Sequence, residues 1–346
     1  MAPVSDRLLS LPLSAASNPH AAQVQHELED WVVRAGLVRN RVTARRASVA
    51  EVGMYAGSIQ PEAPYARLLV YAKLLTWMFL VNDQYGQGIY RTPEAWRLAV
   101  APLYPILRHT GARASVSASP AARALIEILG EIYPGMSAAW RQRFADGVWR
   151  GFVAVGVESR DRRQGRTPRL DEYLRNRSAT SMGAPLIELF RFTAGVELPP
   201  ELTVSRPYRE LVCAATDVMA WINDIASLER EEAAGEVHNL VMVLRDAGDM
   251  SREDAIAAVE DRILARIDDC AAYKGAIRRD FTANAPSPAD RKIIDHLFRS
   301  IDYWITGNIR FAATSPRYRI SSGGKESRPD EIADILLCGS CSESAR

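Results

Sequence analysis

Apolar residues recur with helical spacing along most of this sequence. In the segment Ala21–Ala35, the residues Val24, Leu28 and Trp31 fall on one side of a period of about 3.6 residues, which predicts an amphipathic helix. The segment Tyr65–Asp83 is apolar almost throughout. A helix of that composition is buried on most of its surface, so we expect it to run through the core of the protein.

The same spacing continues toward the C-terminus. It predicts further helices at Ala121–Tyr133, Ala138–Val157, Leu186–Ala194, Arg209–Ala234, Asn239–Asp246, Ser251–Ala272 and Ala289–Ala313. Ser251 stands before early acidic residues and Ser287 before a proline, and both arrangements are typical of helix starts. Strand signals are restricted to short stretches such as Val153–Val157. The pattern therefore predicts an all-α protein.

Polar segments interrupt the helices without dividing the chain into domains. Loops are predicted at Gly111–Pro120, Arg160–Arg169 and Glu197–Pro207. Residues 321–346 begin with Ser-Ser-Gly-Gly-Lys-Glu-Ser, and we expect them to form a mobile tail with a short helix near Glu331–Leu337. The sequence therefore predicts a single domain over residues 1–320, followed by this tail.

Composition narrows the class of protein without identifying it. The chain has 346 residues, 47% of them hydrophobic, and its net charge of +1 argues against a nucleic-acid binder. Four cysteines provide no disulfide framework in a chain of this length. The longest apolar region, Leu68–Val81, contains Lys73 and is shorter than the roughly 20 residues of a membrane span. The N-terminus is a poor secretion signal, so we expect a cytoplasmic protein without membrane insertion.

The segment 223–231 gathers oxygen-bearing side chains on one face of a predicted helix. Asn223, Ser227 and Glu231 stand at positions i, i+4 and i+8, which drift by only about 40° per step. Amide, hydroxyl and carboxylate oxygens suit a hard cation such as Mg²⁺, which often shares substrate phosphate oxygens. Glu231 has the longest side chain and can lean back toward Ser227. A solvated polar face is the alternative, but the apolar residues 218–222 just before the motif favour a metal site.

This Asn-Asp-x-x-Ser-x-x-x-Glu pattern, with Arg230 before its last residue, resembles the second metal motif of bacterial-type class I terpene synthases. The resemblance implies that Asn223, Ser227 and Glu231 bind Mg²⁺ and that Arg230 contacts the substrate diphosphate. It extends from about residue 12 to about residue 320. It also implies the fold of that family, an antiparallel helical barrel with the metal motifs at its mouth.

Other segments match the family in its own order. The stretch Asp171–Arg177, followed by Thr180 and Ser181, resembles the diphosphate-sensing region of the family. The 46 residues between Arg177 and Asn223 are the family's usual spacing. Late in the chain, Arg317-Tyr318 resembles the Arg-Tyr pair that closes over the diphosphate. The resemblance therefore implies roles at the diphosphate for Arg177, Thr180, Ser181, Arg317 and Tyr318.

The first metal motif departs from the family pattern. The family has a DDxxD or DDxxE sequence after an apolar helix, whereas this chain has Asn82-Asp83-Gln84-Tyr85-Gly86. Asn82 takes the first acid position, Asp83 the second and Gly86 the third, so one acid of three remains. Asn82 can coordinate through its carbonyl oxygen but carries no charge. The resemblance implies up to three Mg²⁺ ions, and we expect weaker binding of those that this motif holds.

A class I cyclase must stabilise the departing pyrophosphate and shelter the carbocation that remains. Arginine suits the first task because its planar donor fork matches phosphate oxygens, and the candidates are Arg177, Arg230 and Arg317. The second task requires an apolar pocket lined by aromatic rings. The candidate pocket residues are Phe79, Met78, Phe311 and Trp304.

The resemblance implies Mg²⁺-dependent cyclisation of a linear prenyl diphosphate, with C15 farnesyl diphosphate the first choice of substrate and C20 geranylgeranyl diphosphate the next. Two alternatives stay open. One is a non-catalytic homologue that binds a prenyl diphosphate without turnover, and the other is a class I synthase for a bicyclic diterpene diphosphate made by a class II partner. Complete motifs of chain-elongating prenyl transferases and of protonation-initiated cyclases are not present in the sequence. The resemblance also allows a homodimer.

Overall fold

Helices form nearly all of the regular structure. The structure is a computed structural model that describes residues 4–38, 51–85, 90, 92–108, 118–283, 287–318 and 334–337, and these residues contain no strand. The first helices are α1 (Asp6–Leu9), α2 (Ala21–Arg34), α3 (Val52–Ile59), α4 (Tyr65–Tyr85), α5 (Pro93–Val100), α6 (Leu103–Arg108), α7 (Pro120–Ile132) and α8 (Ala138–Gln164). They are followed by α9 (Leu170–Thr180), α10 (Gly183–Ala194), α11 (Pro200–Val204), α12 (Arg206–Ala233), α13 (Leu240–Gly248), α14 (Arg252–Ala283) and α15 (Pro288–Thr314).

Helix α12 lies at the centre of the packing. It begins after Ser205, whose side chain accepts a hydrogen bond from the Tyr208 backbone N–H, and Pro207 stands in its first turn. It packs along α14 and α15 and also contacts α9, α10 and α13. The helix is long and apolar enough to cross a membrane, but its most apolar window is 83% buried inside the domain. Enclosure by neighbouring helices therefore accounts for its apolar composition.

Helix α3 is held against α2 and α15 at very short range. A Cβ atom on Gly57 of α3 would lie 2.5 Å from the Ala21 Cβ atom, and one on Gly53 would meet the α2 backbone. A Cβ atom on Gly307 of α15 would lie 2.3 Å from the Cγ2 atom of Ile59. Because non-bonded carbon atoms pack at roughly 3.5–4.0 Å, only glycine permits these approaches. The glycines thereby fix the position of α3 beside the second half of α15.

The all-α fold and the predicted helices are confirmed, with corrections between the helices. The loop predicted at Arg160–Arg169 is wrong in its first half, because α8 continues to Gln164 through charged residues that form ion pairs. The helix stops at Gly165, whose φ of 60° lies in the left-handed region. The stretch Val153–Val157 is part of the same helix. The segment Glu197–Pro207 contains the short helix α11 and the start of α12.

A short piece of the C-terminal tail is docked on the domain. Ile335 is fully buried and Leu336 is 6% exposed, and residues 334–337 are not helical. The Ile335 carbonyl accepts a hydrogen bond of 2.9 Å from the Ala121 backbone N–H, and Asp334 accepts one of 2.6 Å from the Tyr90 hydroxyl. The expectation of a mobile tail is corrected here, because burial of two large aliphatic side chains offsets the entropy of ordering a short segment. The rest of residues 321–346 lies outside the described residues.

Candidate active site

The C-terminal end of α4 carries the acid of the first predicted metal motif. Asp83 accepts hydrogen bonds from the Arg317 guanidinium, at 3.0 Å between Oδ1 and Nη2 and 3.5 Å between Oδ2 and Nη1. The same guanidinium lies 4.7 Å from the centre of the Phe79 ring, one helical turn before Asp83. Asn82 is exposed, and Gly86 lies outside the described residues. The acid of this motif is thus already paired with a cation of the protein.

A 3₁₀ turn after α15 connects the two predicted metal motifs. In this turn, Arg317 reaches Asp83 while the hydroxyl of Tyr318 accepts a hydrogen bond of 2.9 Å from the Asn223 side-chain amide. The backbone N–H of Arg317 donates to the Ser315 hydroxyl at 3.2 Å, which fixes the turn at the end of α15. Two residues adjacent in sequence therefore bridge α4 and α12, and they connect Asp83 with Asn223.

The second motif presents oxygen atoms along one face of α12. The Ser227 hydroxyl donates to the Asn223 backbone carbonyl at 2.6 Å, which leaves the lone pairs of the Ser227 oxygen available. Glu231 accepts a hydrogen bond of 2.9 Å from Asn239 on Oε2. This all-oxygen donor set, with one carboxylate, fits a hard divalent cation. Within the described ranges, no group of three His, Cys, Asp or Glu side chains is arranged for a metal, so a cation here depends on the Asn and Ser oxygens.

The surroundings of Glu231 favour a positive partner. Burial raises the pKa of its carboxyl group, the nearby Asp224 carboxylate raises it further, and Arg177 acts in the opposite direction. Arg230, which the resemblance assigns to the diphosphate, is exposed and comes within 3.9 Å of Glu231. A divalent cation at Glu231 would offset the cost of burial and the repulsion by Asp224 together.

Arg177 projects from α9 toward the same face of α12. Its Nη2 atom donates to the Asn223 side-chain oxygen at 2.8 Å and to the Asp224 carboxylate at 2.6 Å. Its Nε atom is buried and has no hydrogen-bond partner among the described residues. A buried guanidinium N–H without an acceptor is costly, and an anion that reached this atom would remove that cost. This unpaired donor fits the predicted binding of a diphosphate.

Two residues that the sequence pattern did not single out hold the predicted site residues in place. Asp224 is fully buried and accepts hydrogen bonds from Arg177 and from the Tyr173 hydroxyl. Asn239, the N-cap of α13, donates to the Asp224 backbone carbonyl at 2.7 Å and to Glu231. Two sequence features could have indicated these residues. Asp224 is the acid that directly follows Asn223, and Asn239 is an asparagine directly before an apolar helix, where an N-cap is expected. Asp224 thus fixes Arg177, and Asn239 fixes Glu231.

The end of α9 lies against a buried carboxyl group of α8. The Thr180 hydroxyl donates to the Arg177 carbonyl at 3.4 Å, while Ser181 donates to the Ser178 carbonyl at 3.1 Å. The Glu158 side chain is 12% exposed. Burial raises the pKa of this carboxyl group to about 7, although Arg177 and the Thr180 hydroxyl lower it. Glu158 is therefore a titratable group beside Arg177 that no sequence motif indicated.

Four aromatic rings extend from the Arg-Tyr turn to α3. The rings of Phe311 and Tyr318 are 5.8 Å apart and nearly perpendicular, and Phe311 stacks on Tyr55 with 4.2 Å between centroids. Phe79 lies almost parallel to Tyr55 at 6.4 Å. The sequence pattern indicated Phe79 and Phe311 but missed Tyr55, because α3 has only eight residues and too few apolar positions for a clear period.

Met78 and Trp304 occupy more deeply packed positions than Phe79. Met78 is 6% exposed, whereas Phe79 is only partly buried. Trp304 is fully buried, its indole N–H donates to the Ala215 carbonyl at 2.9 Å, and its ring packs edge-on against Phe190 at 5.8 Å. These contacts place Trp304 in the packing between α15, α12 and α10. Contact of Met78 or Trp304 with a substrate stays a prediction.

Known proteins are similar to this chain in sequence and in fold. The family model described as terpene synthase family 2, C-terminal metal binding, matches residues 73–269. (−)-δ-Cadinene synthase of Streptomyces clavuligerus is 29% identical over 314 residues, covering 89% of this chain and 93% of that protein. A (−)-β-caryophyllene synthase of Saccharothrix espanaensis, named as cyclising (2E,6E)-farnesyl diphosphate, is 27% identical over 335 residues, covering 94% and 92%. The crystal structure of germacradien-4-ol synthase from Streptomyces citricolor superposes with a TM-score of 0.78 at 24% identity, over 90% of this chain and 99% of that one.

Proposed function

Because this chain belongs to terpene synthase family 2, the bacterial class I terpene synthases, we propose that it ionises and cyclises farnesyl diphosphate in a Mg²⁺-dependent reaction. The reaction breaks the C–O bond to the diphosphate, so pyrophosphate leaves with the bonding electron pair. Ring closure within the allylic cation then leads either to loss of a proton, which yields a hydrocarbon, or to capture of water followed by loss of a proton, which yields an alcohol. The protein is thus a lyase that acts on a diphosphate.

The bridge formed by the Arg-Tyr turn is the observation that carries this proposal. Arg317 contacts Asp83 on α4, and Tyr318 contacts Asn223 on α12. Arg177 contacts Asn223 from a third helix, α9. Three helices and one turn are therefore connected through Arg177, Arg317 and Tyr318 to Asp83 and Asn223, which supports a shared site made of two arginine side chains and the proposed oxygen ligands. A diphosphate with its cations needs that combination of donors and acceptors.

Mg²⁺ would be held by Asn223, Ser227 and Glu231 on α12 and by Asp83 on α4. When bound, it supplies positive charge that stabilises the leaving pyrophosphate. Arg177, whose buried Nε atom has no hydrogen-bond partner in the described part of the chain, would donate to the same anion. Arg317 exchanges the Asp83 carboxylate for phosphate oxygens, which its planar fork accommodates equally well.

The aromatic rings next to the Arg-Tyr turn suit the cation that remains after ionisation. Ring faces attract a carbocation without reacting with it, and an apolar surface keeps water away. Farnesyl diphosphate is preferred because the caryophyllene synthase with which this chain aligns over 94% of its length is named for that substrate. We also propose that the enzyme works in the cytoplasm, since α12, which among the described residues is long and apolar enough to cross a membrane, is 83% buried inside the domain over its most apolar window.

The test is to incubate the purified protein with C10, C15 and C20 prenyl diphosphates and Mg²⁺. Products are identified by gas chromatography and mass spectrometry, and pyrophosphate release is measured in parallel. We expect a cyclic C15 product and equivalent pyrophosphate, both lost when the metal is chelated. Turnover of the C20 substrate alone would revise the chain length, and turnover of a bicyclic diterpene diphosphate alone would indicate action after a class II partner. Binding without turnover of any substrate would establish a non-catalytic homologue.

A further inference from the structure

We infer that Tyr55 is a positioning residue for the diphosphate-binding turn at Pro316–Tyr318. It acts through two aromatic neighbours, Phe79 and Phe311, and its own place is set by a hydrogen bond to Asn308. The inference rests on the proposed function and deepens it. It states that one side chain determines both the position of the Arg-Tyr turn and the shape of the apolar surface next to it.

The ring of Tyr55 is in contact with the aromatic rings that support both members of the turn. It lies 4.2 Å from the Phe311 ring with 19° between the planes, and 6.4 Å from the Phe79 ring with 9° between the planes. Phe79 carries the Arg317 guanidinium at 4.7 Å, and Phe311 meets Tyr318 edge-on at 5.8 Å. A displacement of Tyr55 is therefore transmitted to Arg317 through the Phe79 ring and to Tyr318 through the Phe311 ring.

A hydrogen bond fixes the ring of Tyr55 within its plane. Tyr55 is 5% exposed, and its hydroxyl donates to Oδ1 of Asn308 at 2.7 Å. The Asn308 side-chain amide in turn donates to the Trp304 carbonyl at 2.7 Å, so the acceptor is itself held. Burial raises the pKa of Tyr55 well above its ordinary value, which keeps the hydroxyl protonated as a donor. Tyr55 is thus tied to the helix that leads directly into the Arg-Tyr turn.

The backbone beneath Tyr55 leaves it little freedom to move. Gly53 and Gly57 bring α3 against α2, and Gly307 brings α15 against Ile59. Gly307 directly precedes Asn308, so the close approach at the glycine also sets the distance over which Asn308 reaches Tyr55. Close-packed interiors transmit small displacements instead of absorbing them. These contacts make α3 a fixed support from which Tyr55 sets the positions of Phe79 and Phe311.

The test compares Tyr55 with a tyrosine that makes an equivalent buried hydrogen bond elsewhere. Tyr133 is 2% exposed, and its hydroxyl donates to the Leu107 carbonyl at 2.6 Å. Tyr55→Phe and Tyr133→Phe each remove one buried hydroxyl, and Tyr55→Leu and Tyr133→Leu each remove one ring. For all four variants, the ratio of terpene products, the affinity for inorganic pyrophosphate with Mg²⁺ and the melting temperature are measured.

We expect Tyr55→Phe to change the ratio of the two most abundant products by about fivefold. This is the factor expected if the free energy of one net hydrogen bond, about 1 kcal/mol, is lost from the path to one of the two products. We expect Tyr55→Leu to weaken pyrophosphate binding by about tenfold, because the support of both Arg317 and Tyr318 is lost. The Tyr133 variants should lose a similar amount of thermal stability with no change in products or affinity. An unchanged product ratio in Tyr55→Phe together with unchanged affinity in Tyr55→Leu would overturn the inference, as would equal effects at Tyr133. If the parent protein makes no product while the affinity responds as expected, the positioning role stands and the proposed cyclisation fails.

Discussion

Asp83 and Arg317 form an ion pair between residues that are 234 positions apart in sequence, with 3.0 Å between Oδ1 and Nη2. Both side chains are largely withdrawn from solvent, at 20% and 11% exposure. Asp83 is the acid of the first metal motif, and Arg317 carries the guanidinium proposed to bind the diphosphate, so each proposed site residue is engaged by the other. A cation at Asp83 and an anion at Arg317 each compete with this pair. A cation that binds Asp83 releases Arg317 for the anion, and an anion that binds Arg317 releases Asp83 for the cation. Mg²⁺ and pyrophosphate should therefore bind cooperatively.

The first prediction concerns this pair. Asp83→Ala removes the remaining acid of the first motif and leaves Arg317 without its carboxylate partner. We expect product formation to fall by about a hundredfold or more, because metal support for the leaving group is lost on the α4 side. Turnover is measured over a range of Mg²⁺ concentrations. Product formation at the parental rate in Asp83→Ala would remove this residue from the site.

A variant that adds acids to the first motif complements Asp83→Ala, which removes one. Asn82→Asp with Gly86→Asp restores the two acids that the family pattern has at this motif. We expect the double variant to reach half-maximal turnover at a lower Mg²⁺ concentration than the parent, because added carboxylates strengthen a hard-cation site. An unchanged or higher Mg²⁺ requirement would show that positions 82 and 86 do not face the metal.

The second prediction concerns Arg177. Arg177→Lys keeps the positive charge but loses the planar fork, including the buried Nε donor that has no partner within the described ranges. We expect the affinity for pyrophosphate with Mg²⁺, measured by calorimetry, to weaken by about tenfold or more. Arg175→Lys is the control, because Arg175 is on the same helix, 70% exposed and paired only with Asp171 among the described carboxylates. Equal affinities in both variants would exclude a direct contact between Arg177 and the anion.

The third prediction concerns the metal ligands on α12. Glu231→Gln preserves the shape of the side chain and its contact with Asn239 but removes the negative charge. We expect a higher Mg²⁺ requirement and at limiting Mg²⁺ a turnover about a hundredfold below that of the parent. Glu229→Gln, at an exposed position of the same helix, controls for the change of charge. Near-parental turnover of Glu231→Gln at limiting Mg²⁺ would end the assignment of this metal site.

The fourth prediction is a dependence of stability on pH that originates at Glu158. The pKa of this carboxyl group is raised from 4.5 to about 7 in the folded protein, so between those values the folded state binds more protons than the unfolded state. The free energy of unfolding therefore falls as the pH rises through this window, by about 3 kcal/mol for such a shift. Glu158→Gln should remove that fall, so the difference in unfolding free energy between pH 5 and pH 8 should be smaller in the variant than in the parent. Urea unfolding at pH 5 and at pH 8 measures the free energy of unfolding of the parent and of the variant, with Glu229→Gln as the control.

Several neighbours contribute to the environment of Glu158, and they stay unchanged in that comparison. The groups that act on it from α4, α8, α9 and the segment before α13 are Tyr85, Arg162, Tyr173, Arg177, Thr180, Glu236 and His238. The same pH dependence in the parent and in Glu158→Gln would show that Glu158 is not its source.

The fifth prediction concerns the docked C-terminal segment. Removal of residues 334–346 deletes the buried Ile335 side chain and the hydrogen bonds to Ala121 and Tyr90. We expect the melting temperature to fall by several degrees, since loss of one buried Ile side chain alone typically costs about 2–5 kcal/mol. Removal of residues 338–346 leaves those contacts in place and is the matched control. Equal melting temperatures of the two truncated proteins would show that the segment adds no stability.

The sequence by itself was sufficient for features that depend on local geometry. Helix α4 is apolar on nearly all sides, and it was predicted because a helix buried all round has that composition. The alignment of Asn223, Ser227 and Glu231 on α12 follows from helical spacing alone. The same local rules failed where a short or charged segment depends on its surroundings, as at α3 and at the end of α8.

Only the tertiary structure decided which distant residues meet. Arg317 contacts Asp83 across 234 positions, and Tyr55 contacts Asn308 across 253. No periodicity within a helix determines such pairs, because they depend on how closely helices approach and on which side of each helix faces the other. The docking of Ile335 is likewise not predictable from the sequence, since so short an aliphatic stretch has no periodicity, and its burial depends on the surface of the folded domain. Local spacing follows from the covalent geometry of the chain, whereas contacts between distant residues follow from close packing of the whole domain.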